Sequence, residues 1–193
     1  MNFDEIEQDA RCLIDEYSNQ ISPITNPPVP VDKIADLYLD LSILYEDLDE
    51  ETSGSINLNT GLITINQNDP LRRQRFFLGH EVGHYRLHRG EFDFQTLLLP
   101  IFAEESTIIC RKDDSSRRET EANVFSASLI MPRTLIDPIF QSEKRRTPKN
   151  IAEQVIIRIL ADKFQVSRDA MRYRLQNLGY FADMGQKDLF SVL

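Results

Sequence analysis

The sequence predicts an α+β fold in which a small antiparallel sheet packs on two facing helices, followed by a C-terminal helical lobe. Three observations predict it. Residues 69–88 carry His80, Glu81 and His84 as a His-Glu-x-x-His run bounded by helix start and stop residues. The stretch before it, from Leu41 to Ile65, has strand-like apolar residues and a turn at Asn59, Thr60 and Gly61. Both ends of the chain repeat apolar residues every three or four positions, the helical period.

With 193 residues and 41% apolar side chains, the chain suits one compact domain with a small appendage. We divide it into a domain built around the His-Glu-x-x-His run together with N-terminal helices, 1–135, and a helical lobe, 136–193. The net charge of −9 is uneven: residues 1–60 hold 14 acidic and 2 basic side chains, whereas residues 143–176 hold 9 basic and 4 acidic ones. The whole therefore repels nucleic acid, although its C-terminal part need not. The cysteines Cys12 and Cys110 lie far apart, and the chain opens with acids instead of a basic and then apolar leader. A cytoplasmic protein with free thiols is expected. No apolar run approaches the roughly 18 residues of a membrane span, so solubility is expected as well.

In chain order, Phe3, Ile6, Ala10, Leu13, Ile14 and Tyr17 predict an amphipathic helix over residues 2–18. Pro23, Pro27, Pro28 and Pro30 force an extended connection, and residues 31–39 read as a second short helix. Ile43 and Tyr45 mark a strand, Asp47 to Glu51 an acidic turn, and Ile56 to Ile65 a hairpin. The helix over 69–88 can be capped by Asn68 or Asp69, with Pro70 at its first position, and Gly90 ends it. Gly83 inside it costs about 1 kcal/mol relative to alanine, which implies a close approach by another backbone or a substrate strand. Residues 91–118 are expected to form a flexible flap, charged and loop-like from Asp113 to Arg118. A second strong helix runs from Glu119 to Met131 and stops at Pro132, and Pro138 and Pro148 bracket a polar connection. Helices over about 149–164 and 168–178, around a turn at Gln165, Val166 and Ser167, have the shape of a helix-turn-helix.

Residues four apart on a helix lie one turn above each other, so His80 and His84 aim two imidazoles at a single point. Glu81 sits one residue round, able to reach a water there without being a ligand. A metallopeptidase needs this division: neutral imidazoles hold zinc, zinc acidifies a water, and a separate carboxylate takes its proton. The chain has three histidines, all within residues 80–88. His88 points off the common axis and reads as a histidine favoured by the helix C-terminal dipole. A catalytic zinc site usually has a third protein ligand, here a carboxylate from the second helix. Glu119 shares a helix face with Asn123 and Ser126, Glu121 with the apolar Phe125. Glu119 is the preferred ligand, with Asn123 orienting a ligating histidine, and Glu121 is the alternative. Tyr85 and the flap are the sources considered for an oxyanion-stabilising group.

The run from Arg73 to His88, followed by Glu119 to Pro132, resembles the ImmA/IrrE family of metallopeptidases. The resemblance covers about Val29 to Pro132. It implies a zincin-like core, a Zn2+ cofactor, and the first glutamate of the Glu119-Thr120-Glu121-Ala122-Asn123 run as ligand. It further implies an endopeptidase that cleaves a partner helix-turn-helix repressor of a mobile-element or stress operon. The chain departs from the family pattern in its long segment 91–118 and in Ser126, where alanine is more usual. The competing class is a non-catalytic zinc-binding regulator acting through the C-terminal helices, whose Arg168, Arg172 and Arg174 would contact DNA. Packing or partner docking by this lobe is preferred to DNA contact.

Overall fold

The computed structural model describes residues 1–49, 52–91, 112–148 and 152–181, and it is α+β. Helix α1, Phe3–Gln20, starts at a capping box in which Asn2 and Glu5 exchange backbone-to-side-chain hydrogen bonds. It buries Ile6, Ala10, Leu13, Ile14 and Tyr17, as its spacing predicts, but Phe3 stands 61% exposed. Helix α2, Val31–Lys33, widens into a π-type turn at Ile34–Tyr38.

Strands β1 (Ser42–Glu46), β2 (Gly54–Asn57) and β3 (Leu62–Asn66) form a sheet in the order β1-β3-β2. The β2–β3 hairpin is antiparallel, pairing Ile56 with Ile63, with the turn's Gly61 at φ +70. Strand β1 pairs with β3 in parallel, Ile43 opposite Ile63, so the sheet is mixed and not wholly antiparallel as expected. The reason lies in burial. Ile63 and Ile65 are fully buried, which puts β3 at the centre, while the polar β2 takes an edge. The crossover from β1 is knitted by the buried Asn66, whose amide donates to the carbonyls of Leu48, Asp49 and Thr52.

Helix α3, Leu71–His88, packs on β2 and β3 and continues as a short 3₁₀ turn, Arg89–Glu91. Its cap differs from expectation: Pro70 is the N-cap and no side chain caps the helix. Asn68 bonds Asp47 instead, Asp69 pairs with Arg73, and Gln74 reaches back to the carbonyls of Gln67 and Asp69. Helix α4, Lys112–Ile130, begins before Glu119, so the loop expected from Asp113 to Arg118 is helical. The rest of the expected flap, and Cys110 with it, falls on residues outside those described. Cys12 is a free thiol.

Helix α4 lies against α3 and α1. A Cβ on Gly83 would come within 3.2 Å of the Ala122 Cα and carbonyl oxygen, which identifies the close approach as that of another helix backbone. A Cβ on Gly79 would come within 2.7 Å of the Ser126 hydroxyl, which donates to the Phe76 carbonyl at 2.7 Å. Ser126 thus ties the two helices together.

Helix α5 spans Arg133–Arg146 with Pro138 inside it, where a connection was expected. Pro138 forfeits one helical hydrogen bond, but burial of Ile136 and Phe140 and the basic last turn favour the helix. Helices α6 (Ala152–Phe164) and α7 (Arg168–Asn177) flank the turn, where Gln165 has φ +56 and Ser167 caps α7 through Ala170 N–H. The C-terminal helices dock through two arginines. Arg72 donates to the Val166 carbonyl and pairs with Asp162, and the buried Arg174 holds the Met131 carbonyl and Glu7. One apolar core runs from Ile6 to Leu175. Among the described residues, no helix is long and apolar enough to cross a membrane.

Candidate metal centre

The middle of α3 is buried nearly all round: Leu78, Gly79, His80, Glu81, Val82, Gly83 and His84 are all inaccessible. Polar side chains survive there only if each has a partner. His80 and His84, one helical turn apart, bring their Nε2 atoms to 2.9 Å. From α4, Glu119 puts Oε2 at 3.1 Å from His80 Nε2 and Oε1 at 3.3 Å from His84 Nε2. These three donors form a group that can hold a metal ion.

The residues fit zinc on two counts. Two imidazoles and a carboxylate are a donor set of catalytic zinc sites, and donors at about 2.0–2.1 Å around a tetrahedral ion lie roughly 3.3 Å apart, close to the spacings here. The Glu119 side chain is 49% exposed, so the cluster opens to solvent on its side, as a position for water or substrate requires.

Charge in this cluster is strongly perturbed. Burial acts against ionising Glu119, but hydrogen bonds from His80 and His84 outweigh it and hold the carboxyl well below the usual range. Burial likewise disfavours charge on His80, yet Glu119 and Glu81 together push its pKa up. His84 goes the other way, lowered by burial and by repulsion from His80 and His88. Glu81 is 5% exposed and outside the donor group; burial, reinforced by Glu119 and opposed by His80, pushes its carboxyl up to about 7. Beside it lies β2, where a Cβ on Gly54 would sit 3.5 Å from Glu81 Oε1.

The outer contacts orient the rings. His80 Nδ1 lies 2.8 Å from Asn123 Oδ1, the contact expected of Asn123 from its place one turn after Glu119. His84 Nδ1 lies 3.1 Å from His88 Nδ1, and His88 Nε2 lies 3.1 Å from Glu121 Oε2. His88, set aside as a dipole-favoured terminus, is 1% exposed and linked to a ring of the cluster. Its spacing, i+4 from His84, fits a surface histidine equally well, and its neighbour from α4, Glu121, is not visible in sequence. Glu121 is buried on the helix that carries the core residue Phe125, and its carboxylate meets His88, the terminal amine of Met1 and Arg117. Burial raises its carboxyl, but these bonds bring it down to about 2. Its oxygens lie outside the three-donor group. Tyr85 takes a hydrogen bond from Arg89, whose guanidinium stacks on its ring at 4.7 Å. Phe77 flanks the cluster, its ring 5.8 Å from that of His80 and covered by Arg73.

The fold is similar to that of a Mycobacterium tuberculosis transcriptional regulator, with a TM-score of 0.57 at 11% identity. The match covers 97% of this chain and 55% of that one, so the chain spans about half that protein's length and the likeness concerns the fold. No curated protein matches the sequence significantly. The model of the IrrE N-terminal-like domain, Peptidase M78, matches residues 37–176, a span that contains α3, the Glu119 helix and the docked C-terminal helices. The chain belongs to the IrrE N-terminal-like, Peptidase M78, family.

Proposed function

We propose that the chain is a zinc-dependent endopeptidase that cleaves a partner helix-turn-helix transcriptional repressor. The observation that carries the peptidase reading is a three-donor group, His80, His84 and Glu119, with the buried Glu81 next to it and outside it. Bound there, zinc would supply Lewis acidity, lowering the pKa of a water to about 7 and polarising a peptide carbonyl. The chain's own side chains do the rest. Asn123 holds the His80 ring with its Nε2 turned inward. Glu81 accepts the proton of the attacking water at its carboxylate and passes it to the leaving amine. Strand β2 is a sheet edge among the described residues, and its Gly54 lies beside Glu81. An extended peptide laid along that edge would pass the general base.

The repressor substrate rests on the family resemblance, and it is tested by finding a helix-turn-helix protein in the adjacent reading frame and co-expressing the two. A cut by the wild type that disappears with Glu81→Gln supports it; an intact partner in both cases removes that substrate. A non-catalytic regulator acting through α6 and α7 is the second reading. On its side, Arg168 is exposed and Arg172 is half-buried, with its side chain 42% exposed. Against it, Arg174 is buried on Glu7 and the Met131 carbonyl. Salt-dependent duplex binding lost on Arg172→Ala would favour this second reading.

A further inference from the structure

His88 and Glu121 take no part in the three-donor group, yet they are joined to it by a continuous line of hydrogen-bonding atoms. His84 turns Nε2 to the cluster, which leaves the proton of its neutral ring on Nδ1. That Nδ1 lies 3.1 Å from His88 Nδ1, and His88 Nε2 lies 3.1 Å from Glu121 Oε2. The two contacts admit one arrangement of neutral rings. His84 Nδ1–H donates to His88 Nδ1, and His88 Nε2–H donates to the Glu121 carboxylate. Every ring nitrogen then has a partner, in a place where His88 is 1% and His84 3% exposed.

We infer that His88 and Glu121 are positioning residues for the metal: a His84-His88-Glu121 relay fixes the tautomer and direction of the His84 ligand. The inference rests on the zinc reading above. The carboxylate at the far end polarises the His88 ring so that its Nδ1 accepts the His84 hydrogen bond more strongly, which increases the electron density His84 offers from Nε2. His80 is treated differently, since it is held by the neutral amide of Asn123. The two histidine ligands are therefore unequal, with the charged relay on His84 alone. Helix geometry explains why one motif needs both helices: α3 supplies His84 and His88 at i and i+4, and α4 supplies Glu119 for the cluster and Glu121, two residues on, for the relay.

The test is Zn2+ affinity of the full chain, by competition with a chromophoric chelator, with Co2+ absorption as the spectroscopic readout. His88→Phe keeps the ring volume and removes both hydrogen bonds. It should weaken Zn2+ binding by about 10–100-fold and alter the visible Co2+ bands. His88→Gln, whose amide can accept from His84 and donate to Glu121, should recover most of that affinity. Glu121→Ala should weaken binding about tenfold, and less than additively with His88→Phe, because both cut one line. Should His88→Phe fail to fold, Glu121→Ala and His88→Gln carry the comparison. Wild-type affinity and unchanged Co2+ bands in Glu121→Ala and in folded His88→Phe would overturn the relay while leaving the metal site intact. A wild-type chain that binds neither metal would overturn both.

Discussion

Burial that holds the Glu81 carboxyl at about 7 has a cost in the metal-free chain. A carboxyl whose folded pKa is raised above its unfolded value loses stability as pH rises between the two, here from about 4.5 to about 7. The shift corresponds to about 3 kcal/mol. Glu81→Gln, neutral at every pH, should therefore raise the thermal midpoint of the metal-free protein at pH 8, with a gain that shrinks toward pH 5. A gain that stays constant over that range would contradict the burial argument. For the donors, Glu119→Ala should abolish Zn2+ binding by calorimetry, whereas Glu121→Ala should retain the three-donor site with reduced affinity. The placement of the helical motif was legible because it is carried by spacing on one helix: His80 and His84 converge through the helical period, with Glu81 one residue round from His80. Glu119 and Asn123 were legible from their shared face. His88 and Glu121 were not, because a buried histidine and a surface one have the same spacing, and only the partner helix distinguishes them.

The contact between α3 and α4 sets the geometry of the site, and it depends on small residues at the crossing. Gly83→Ala would put a methyl 3.2 Å from the Ala122 backbone, which cannot move aside as a side chain end can. We expect a loss of about 1–3 kcal/mol in urea denaturation together with weaker Zn2+ binding, since Glu119 moves with α4. Unchanged stability and affinity would show that the crossing has slack. The hairpin was readable from alternation and its turn, but the parallel partnership of β1 was not. Strand order is decided by which strand is most buried and by Asn66 stitching the crossover, a long-range arrangement without a local signature. Pro138 misled in the same way: a local breaker was outweighed by the burial of Ile136 and Phe140.

Across the molecule, the C-terminal helices are tied to the rest of the fold by charge as well as by apolar packing. Arg174 is 4% exposed and satisfied by Glu7 and the Met131 carbonyl, although burial lowers its pKa. Removing it would leave that carbonyl buried and Glu7 unpaired. Arg174→Ala should cost about 2–3 kcal/mol in thermal or urea unfolding, while Arg172→Ala, paired only with the exposed Asp169, should change stability by less than about 0.5 kcal/mol. Equal effects would mean that the lobe is not anchored this way. The helix-turn-helix outline was plain in sequence, but the inward direction of Arg174 was not, because a basic helix reads alike whether it faces solvent or a carboxylate. The same holds for function: the fold brings three possible metal donors together beside the buried Glu81, the arrangement on which the proposed peptide hydrolysis rests. The most direct measurement is the zinc content and peptide-bond cleavage of the wild type beside Glu81→Gln, with products read by mass spectrometry. Equal zinc in both, with cleavage at least about a hundredfold slower in Glu81→Gln, is the predicted result. A zinc-loaded Glu81→Gln protein that cleaves as fast as the wild type would contradict it.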